Sequence, residues 1–384
     1  SATYDQSTTL ETGDDTDIVP AHGMGTAGED GTIRAAWLAA LADDVAALRD
    51  AGKQVILVSS GAVAVGRNRL GKRQKVLKLE DKQACAAVGQ IRLAHAYQQA
   101  LDRHDISVAQ VLLTLQDSDD RRRYLNARNT LESLLDWGAL PLINENDTVA
   151  TEEIRFGDND RLAARVAQMA SADLLILLSD IDGLYTADPA LDPSATRLDE
   201  VAEITPAIEA MAGGSLSDVG SGGMITKIAA AHIAVRAGCH MIIAAGAPDH
   251  ALSAIRDGAP CTWFAAHDNP LTARKRWIAG TLRPSGTVVI DDGARRALGR
   301  GKSLLPAGVV SADGGFRRGD LVCVEDTTGR EVGRGLSAYA ADDVGRILGH
   351  KSGEIERILG YRGREEVIHR DDLVLSAGGS EDTR

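Results

Sequence analysis

The chain has 384 residues, more than one ordinary core holds, and its 44% hydrophobic content is that of a globular protein, so two domains are expected. Its net charge of −13 argues against non-specific binding to nucleic acid or an anionic membrane, and an anionic substrate then needs a locally positive pocket. No apolar run approaches the ~18 residues of a membrane span and no signal peptide opens the chain, while the scattered Cys85, Cys239, Cys261 and Cys323 point to a reducing cytoplasm rather than disulfides or structural zinc.

Residues 1–30 are polar, acidic and aperiodic, which predicts a poorly ordered stretch. From residue 32 to 50, Ile33, Trp37, Leu38, Leu41, Val45 and Leu48 recur at helical spacing, and Ala51-Gly52 ends the helix. Residues 54–58 read as a buried strand running into the turn Ser59-Ser60-Gly61-Ala62. A long helix is predicted over 81–103, a strand over 108–113, a helix over 124–137 and a strand over 139–143. A helix over 162–169, a strand over 174–178, a helix over 226–237 and a strand over 241–244 follow. This alternation implies an α/β fold: a three-layer, mainly parallel sheet with helices on both faces and functional turns at the carboxyl ends of its strands.

The pattern changes near residue 268. Residues 268–282 read as a polar, basic linker, and residues 283–363 as a small β-rich domain with strands over 287–290, 321–324 and 333–336. Residues 364–384 are left as a C-terminal tail, and residues 31–267 form the first domain.

Two stretches carry chemistry. In the first, an apolar run stops at Asn144-Glu145-Asn146-Asp147, and a second polar cluster, Gly157-Asp158-Asn159-Asp160, opens a helix. Asparagine offers both donor and acceptor, so such a loop can read an amine and a carboxylate together; the bland reading is a pair of Asx-rich turns. In the second, Asp218-Val219-Gly220-Ser221-Gly222-Gly223-Met224-Ile225-Thr226-Lys227 feeds a glycine run into a helix start, where backbone N–H groups and a lysine favour phosphate. It is not a Walker A loop, since Gly-x4-Gly-Lys-Ser/Thr is absent.

In order, Val58-Ser59-Ser60-Gly61-Ala62, Ala87-Val88-Gly89-Gln90, Asn126-Ala127-Arg128, Ile143 to Val149, Gly157 to Asp160, Ser179-Asp180, Gly183-Leu184-Tyr185-Thr186-Ala187-Asp188-Pro189 and Gly222 to Lys227 resemble the glutamate 5-kinase family. That family has an amino acid kinase fold, and its common bacterial form carries a C-terminal PUA domain. The resemblance implies ATP-dependent phosphorylation of the γ-carboxylate of L-glutamate, the first step of proline synthesis from glutamate. It places Ser60, Asp147 and Asn159 on glutamate. It places Ser179, Asp180, Ser221, Gly222, Gly223, Met224, Ile225, Thr226 and Lys227 on ATP, with Lys227 and Asp160 catalytic. Mg²⁺ arrives on ATP, with no metal cage of protein ligands. Feedback inhibition by proline and a homodimer or homotetramer are likewise implied.

The family opens with a strand ending in a Lys-x-Gly-Ser/Thr turn, and nothing here matches it: without gaps the lysine's place falls at Pro20. Two readings stay open, an N-terminal stretch that is not the natural one and a divergent, catalytically impaired regulatory or RNA-associated protein. A third, another amino acid kinase such as acetylglutamate kinase, is opposed by residues 143–149 and by the C-terminal domain. Residues 283–362 hold 13 Lys and Arg against 11 Asp and Glu, without the basic excess of a dedicated RNA surface. The run Arg121-Arg122-Arg123 reads as solvated, Ser60 as a helix cap as well as a ligand, and Asp158 as a cap.

Overall fold

A computed structural model describes residues 17–22, 28, 30–72, 77–151, 159–213, 223–280 and 283–376. The chain divides into two compact units at Pro270/Leu271.

The first unit begins with β1 (Asp17–His22), α1 (Ala35–Asp50), β2 (Gln54–Val55), β3 (Leu57–Val58), α2 (Ala62–Arg69) and α3 (Leu79–Asp102). It continues with β4 (Val108–Leu113), α4 (Leu115–Asp119), α5 (Arg121–Asp136), β5 (Leu140–Glu145), α6 (Asn159–Ala170) and β6 (Leu174–Ser179). Next come β7 (Leu184–Tyr185), β8 (Arg197–Leu198), β9 (Glu200–Val201), α7 (Pro206–Met211), α8 (Met224–Arg236), β10 (His240–Ala245), α9 (Ala251–Arg256) and β11 (Cys261–Phe264). The main sheet runs β4-β5-β3-β1-β6-β10-β11-β9, with β2 beside β1. It is parallel from β4 to β10, and β11 is antiparallel to β10. The strands are apolar on both sides because both sides are covered. Along β6, Leu175 and Leu177 pack in one cluster with Leu162 and Ile228 from α6 and α8. Leu174, Ile176 and Leu178 pack in the other with Trp37, Val45 and Tyr97 from α1 and α3.

Three expectations are corrected here. The first concerns the N-terminal residues, read as poorly ordered and strandless. Asp17–His22 form β1 at the centre of the sheet, with Val19 opposite Leu175 and Ala21 opposite both Leu177 and Val58. Hydrogen bonding to two flanking strands builds this element, so no apolar run marks it. Pro20, equated with the family's lysine, lies inside the strand opposite Ile176 rather than in a turn. It removes one N–H from the ladder. The turn that follows His22 lies outside the described residues.

The second concerns residues 268–282, read as a linker. Pro270–Gly280 form a helix, α10, with proline in the first position, where a missing N–H leaves no bond unmade. Its Arg274 forms a buried ion pair with Asp372. The third concerns the end of the second domain, placed at residue 363. That unit contains β12 (Gly286–Ile290), α11 (Asp292–Gly299), β13 (Val309–Gly314), β14 (Leu321–Asp326), β15 (Glu331–Leu336), α12 (Ala341–Ile347), α13 (Ile355–Leu359) and β16 (Leu373–Leu375). Its sheet runs β13-β12-β14-β15-β16, so the last strand comes from beyond residue 363. Val288, Ile290, Phe316, Val322, Val324 and Val344 make its separate core.

Two glycines fix a close helix contact near the site. A Cβ on Gly66 of α2 would lie 1.8 Å from the carbonyl oxygen of Cys85, and one on Gly89 of α3 1.8 Å from that of Ala62. Gly89 of the Ala87-Val88-Gly89-Gln90 motif is therefore a packing residue, and it sets where α2 begins.

Candidate active site

The carboxyl ends of β3, β5 and β6 deliver Ser59-Ser60, Asn146-Asp147 and Asp180 to the same edge of the sheet. The Ser59 N–H donates to the Ile143 carbonyl at 2.8 Å and ties the first two turns together. Ser60 is buried but does not cap α2: the cap is Gly61, at φ 91°, a left-handed conformation that glycine adopts without strain. Arg122 and Arg123 are exposed on the first turn of α5, and Arg121 is half-buried.

Beside these turns opens a cavity of about 900 Å³ whose walls include Gly61, Ala62, Asn144, Glu145, Asp147 and Asn159. Two of the three residues predicted to hold glutamate, Asp147 and Asn159, thus share one wall; Ser60 lies next to its Gly61. Arg67, Lys72 and Lys82 line the same cavity and balance its three carboxylates, Asp30, Glu145 and Asp147, so it is locally neutral in a protein of net negative charge. These cations carried no sequence signal, because they sit on the α2–α3 hairpin and match no motif.

Asn144 is the sharpest feature of the wall. Its Oδ1 accepts from the Glu145 N–H at 2.8 Å, and its buried Nδ2 has no hydrogen-bond partner among the described residues. A buried unpaired donor costs about 1–3 kcal/mol, a cost that a ligand's oxygen removes. Gln90 holds this strand end from below, its Nε2 donating to the Glu145 carbonyl at 3.2 Å.

The lysine stands on a neighbouring pair of helices. Lys227, in the first turn of α8, places its Nζ 3.0 Å from Asp160 Oδ2, and both residues are buried. Thr226 Oγ1 lies 2.9 Å from the same carboxylate oxygen and 2.8 Å from the Gly223 carbonyl, and its one proton serves one acceptor at a time. Thr226 is fully buried, so its side chain faces Asp160; what it offers a phosphate is its backbone N–H, one of the unshared donors of the helix start. Met224 and Ile225 are half-buried in the same turn, after Gly223 at φ 107°. Ser221, Gly222 and Asp158 lie outside the described residues. At the end of β6, Ser179 Oγ donates to Asp180 Oδ1 at 2.9 Å. The hairpin β7–β8 beyond it is pinned to β11 by Thr262, whose Oγ1 accepts from the Leu184 N–H at 2.7 Å. A Cβ on Gly183 would lie 2.5 Å from that oxygen, which accounts for the glycine of its motif.

The two halves meet at α6. Asn159 lines the cavity, and the next residue, Asp160, holds Lys227.

A parallel sheet with a polar cavity and a lysine-bearing helix start at one edge is the architecture of the amino acid kinase fold. Residues 22–245 match the amino acid kinase family and residues 286–359 the PUA domain. The chain is 64% identical over 345 residues to the glutamate 5-kinase of Paramagnetospirillum magneticum, covering 90% of this chain and 93% of that protein. It is 60% identical to the glutamate 5-kinase of Rhodopseudomonas palustris strain BisB5 (90% and 92% covered) and 60% to that of Rhizobium etli (90% and 89%). The chain belongs to the glutamate 5-kinase family. This membership favours the kinase reading over both the impaired scaffold and acetylglutamate kinase.

Proposed function

We propose that the chain transfers the γ-phosphoryl group of ATP to the γ-carboxylate of L-glutamate, giving L-glutamyl 5-phosphate and ADP, the step that opens proline synthesis from glutamate. The observation that carries this reading is the junction at α6: consecutive residues face an acceptor cavity and a buried lysine.

The acceptor carboxylate, with a pKa of about 4.3, is already ionised at neutral pH, so no general base is needed. One of its oxygens bonds to the γ-phosphorus as the bond to the bridging oxygen of ADP breaks. Both reactants are anions, so the chain must align them and offset their repulsion. In this reading Ser60, Asp147, Asn159 and Asn144 hold the amino acid, and Arg67, Lys72 and Lys82 offset the carboxylates of Asp30, Glu145 and Asp147 in the same cavity. Lys227 meets the transferring phosphoryl group, and Asp160 fixes the lysine's position. Ser179, Asp180 and residues 221–227 receive the nucleotide. Among the described residues no group of three or more His, Cys, Asp or Glu is arranged to hold a metal, and Mg²⁺ in this reading comes bound to the ATP phosphates.

Proline carries the same α-carboxylate and a similar amine, and we assign its feedback inhibition to the glutamate cavity. A homodimer or homotetramer in the cytoplasm completes the proposal; no described helix is long and apolar enough to cross a membrane. The test is ADP release from MgATP with L-glutamate, with N-acetylglutamate and without acceptor. Release dependent on L-glutamate alone is expected. Equal release in all three by folded protein rules the reading out.

A further inference from the structure

The second unit contains a cavity of about 120 Å³ that the kinase chemistry leaves unused, walled by Arg318, Tyr339, Asp343, Tyr361 and Arg364 among others. At roughly 30 Å³ per water it has room for about four, which suits a group of four or five heavy atoms and not a nucleotide.

Most of its polar groups are already spent. The Tyr339 hydroxyl donates to the Arg364 carbonyl, and the Tyr361 hydroxyl donates to Asp343 Oδ2 at 2.9 Å. Asp343 also faces Arg346 at 3.7 Å, and Arg364 faces Glu366 at 3.5 Å. The seat of Tyr339 is built for it: a Cβ on Gly363 would lie 2.2 Å from its hydroxyl oxygen.

Arg318 differs from all of these. Its side chain makes no hydrogen bond or ion pair among the described residues, although the residue is half-buried. With Asp343 and Glu366 each engaged, the charge left over at the cavity is one guanidinium. That group presents five N–H donors in a rigid fork that matches carboxylate or phosphate oxygens.

We propose that this cavity is a small-oxyanion site, in which Arg318 holds a carboxylate or a phosphate group between Tyr339 and Tyr361. The near balance of charge around it, and its size, oppose an extended nucleic acid track.

The experiment titrates the full chain with inorganic phosphate and, separately, with acetate, in the wild type, Arg318→Ala, Arg318→Lys and Lys227→Ala. The expected result is binding of at least one anion that is at least tenfold weaker in R318A, less weakened in R318K and kept in K227A, which removes only the phosphate bound at the kinase site. The last arm separates this site from the kinase site. The thermal midpoint of R318A should match the wild type, because the side chain has no bond to lose. A phosphate response identifies a phosphoryl ligand and an acetate response a carboxylate ligand, and either supports the site. Equal titrations in wild type and R318A, or no response to either anion, overturn it. So does Arg318-dependent binding of single-stranded RNA without binding of either anion.

Discussion

Lys227 and Asp160 stabilise each other in a place where neither is stable alone. Because the pair is buried, Lys227→Ala costs the fold as well as turnover. Removing the lysine leaves a buried carboxylate without its cation, a loss on the order of 3–5 kcal/mol for a fully buried pair. We therefore expect K227A to lower kcat by roughly 10²–10³ and also to lower the unfolding midpoint. The double variant Lys227→Ala/Asp160→Asn should recover the midpoint but not kcat. Asn144→Ala should do the opposite, raising the KM for glutamate about tenfold with kcat nearly kept, because it removes a binding donor and no transition-state charge. Steady-state kinetics beside thermal melts check both. In the sequence, Asp147 and Asn159 stood out because their motifs are dense and specific. The pairing of residues 160 and 227 was not legible from spacing, since folding alone brings two helix starts together. Nor was the unpaired amide of Asn144, which depends on what surrounds it.

Elements differ in how openly they show themselves. The strand over 108–113 and the helix ending at residue 50 are where the sequence pattern puts them, and in the helix Trp37, Leu38, Leu41 and Val45 are buried at the expected spacing. Asp17–His22 show no such pattern, because the ladder to β3 and β6 makes the strand. Pro270–Gly280 look like a linker, because the helix is polar and its anchor, Asp372, is supplied from far along the chain. The antiparallel strand Cys261–Phe264 likewise takes its direction from the β10 edge. Glycines are legible as turns but not as contacts. Gly89→Ala should destabilise the protein by about 1–3 kcal/mol, because the new methyl meets the Ala62 backbone and α2 must shift. Gly345→Ala, on α12 with open space around it, should instead stabilise by about 0.5–1 kcal/mol. Denaturant melts of the two variants give the signs directly.

At the scale of the molecule, the two units have separate cores, and the second is expected to carry an alkaline transition of its own. Burial, more than any neighbouring charge, pushes Tyr339 up from 10.0 to about 12. Its folded-state affinity for the proton exceeds the unfolded one. The stability it contributes is therefore fully present below pH 10 and is lost as pH rises through about 12. Tyrosinate absorbance should appear late and together with loss of structure in the second unit, and Tyr339→Phe should blunt that step. The central place of β1 has a consequence for the newborn chain. Pro20 pairs with Ile176, 156 residues later, so this strand waits for one of its neighbours for roughly 8–30 s at synthesis rates of about 5–20 residues per second. Over that interval the ribosome holds a sheet with an open slot, and chaperone capture of nascent chains should be greatest before β6 emerges.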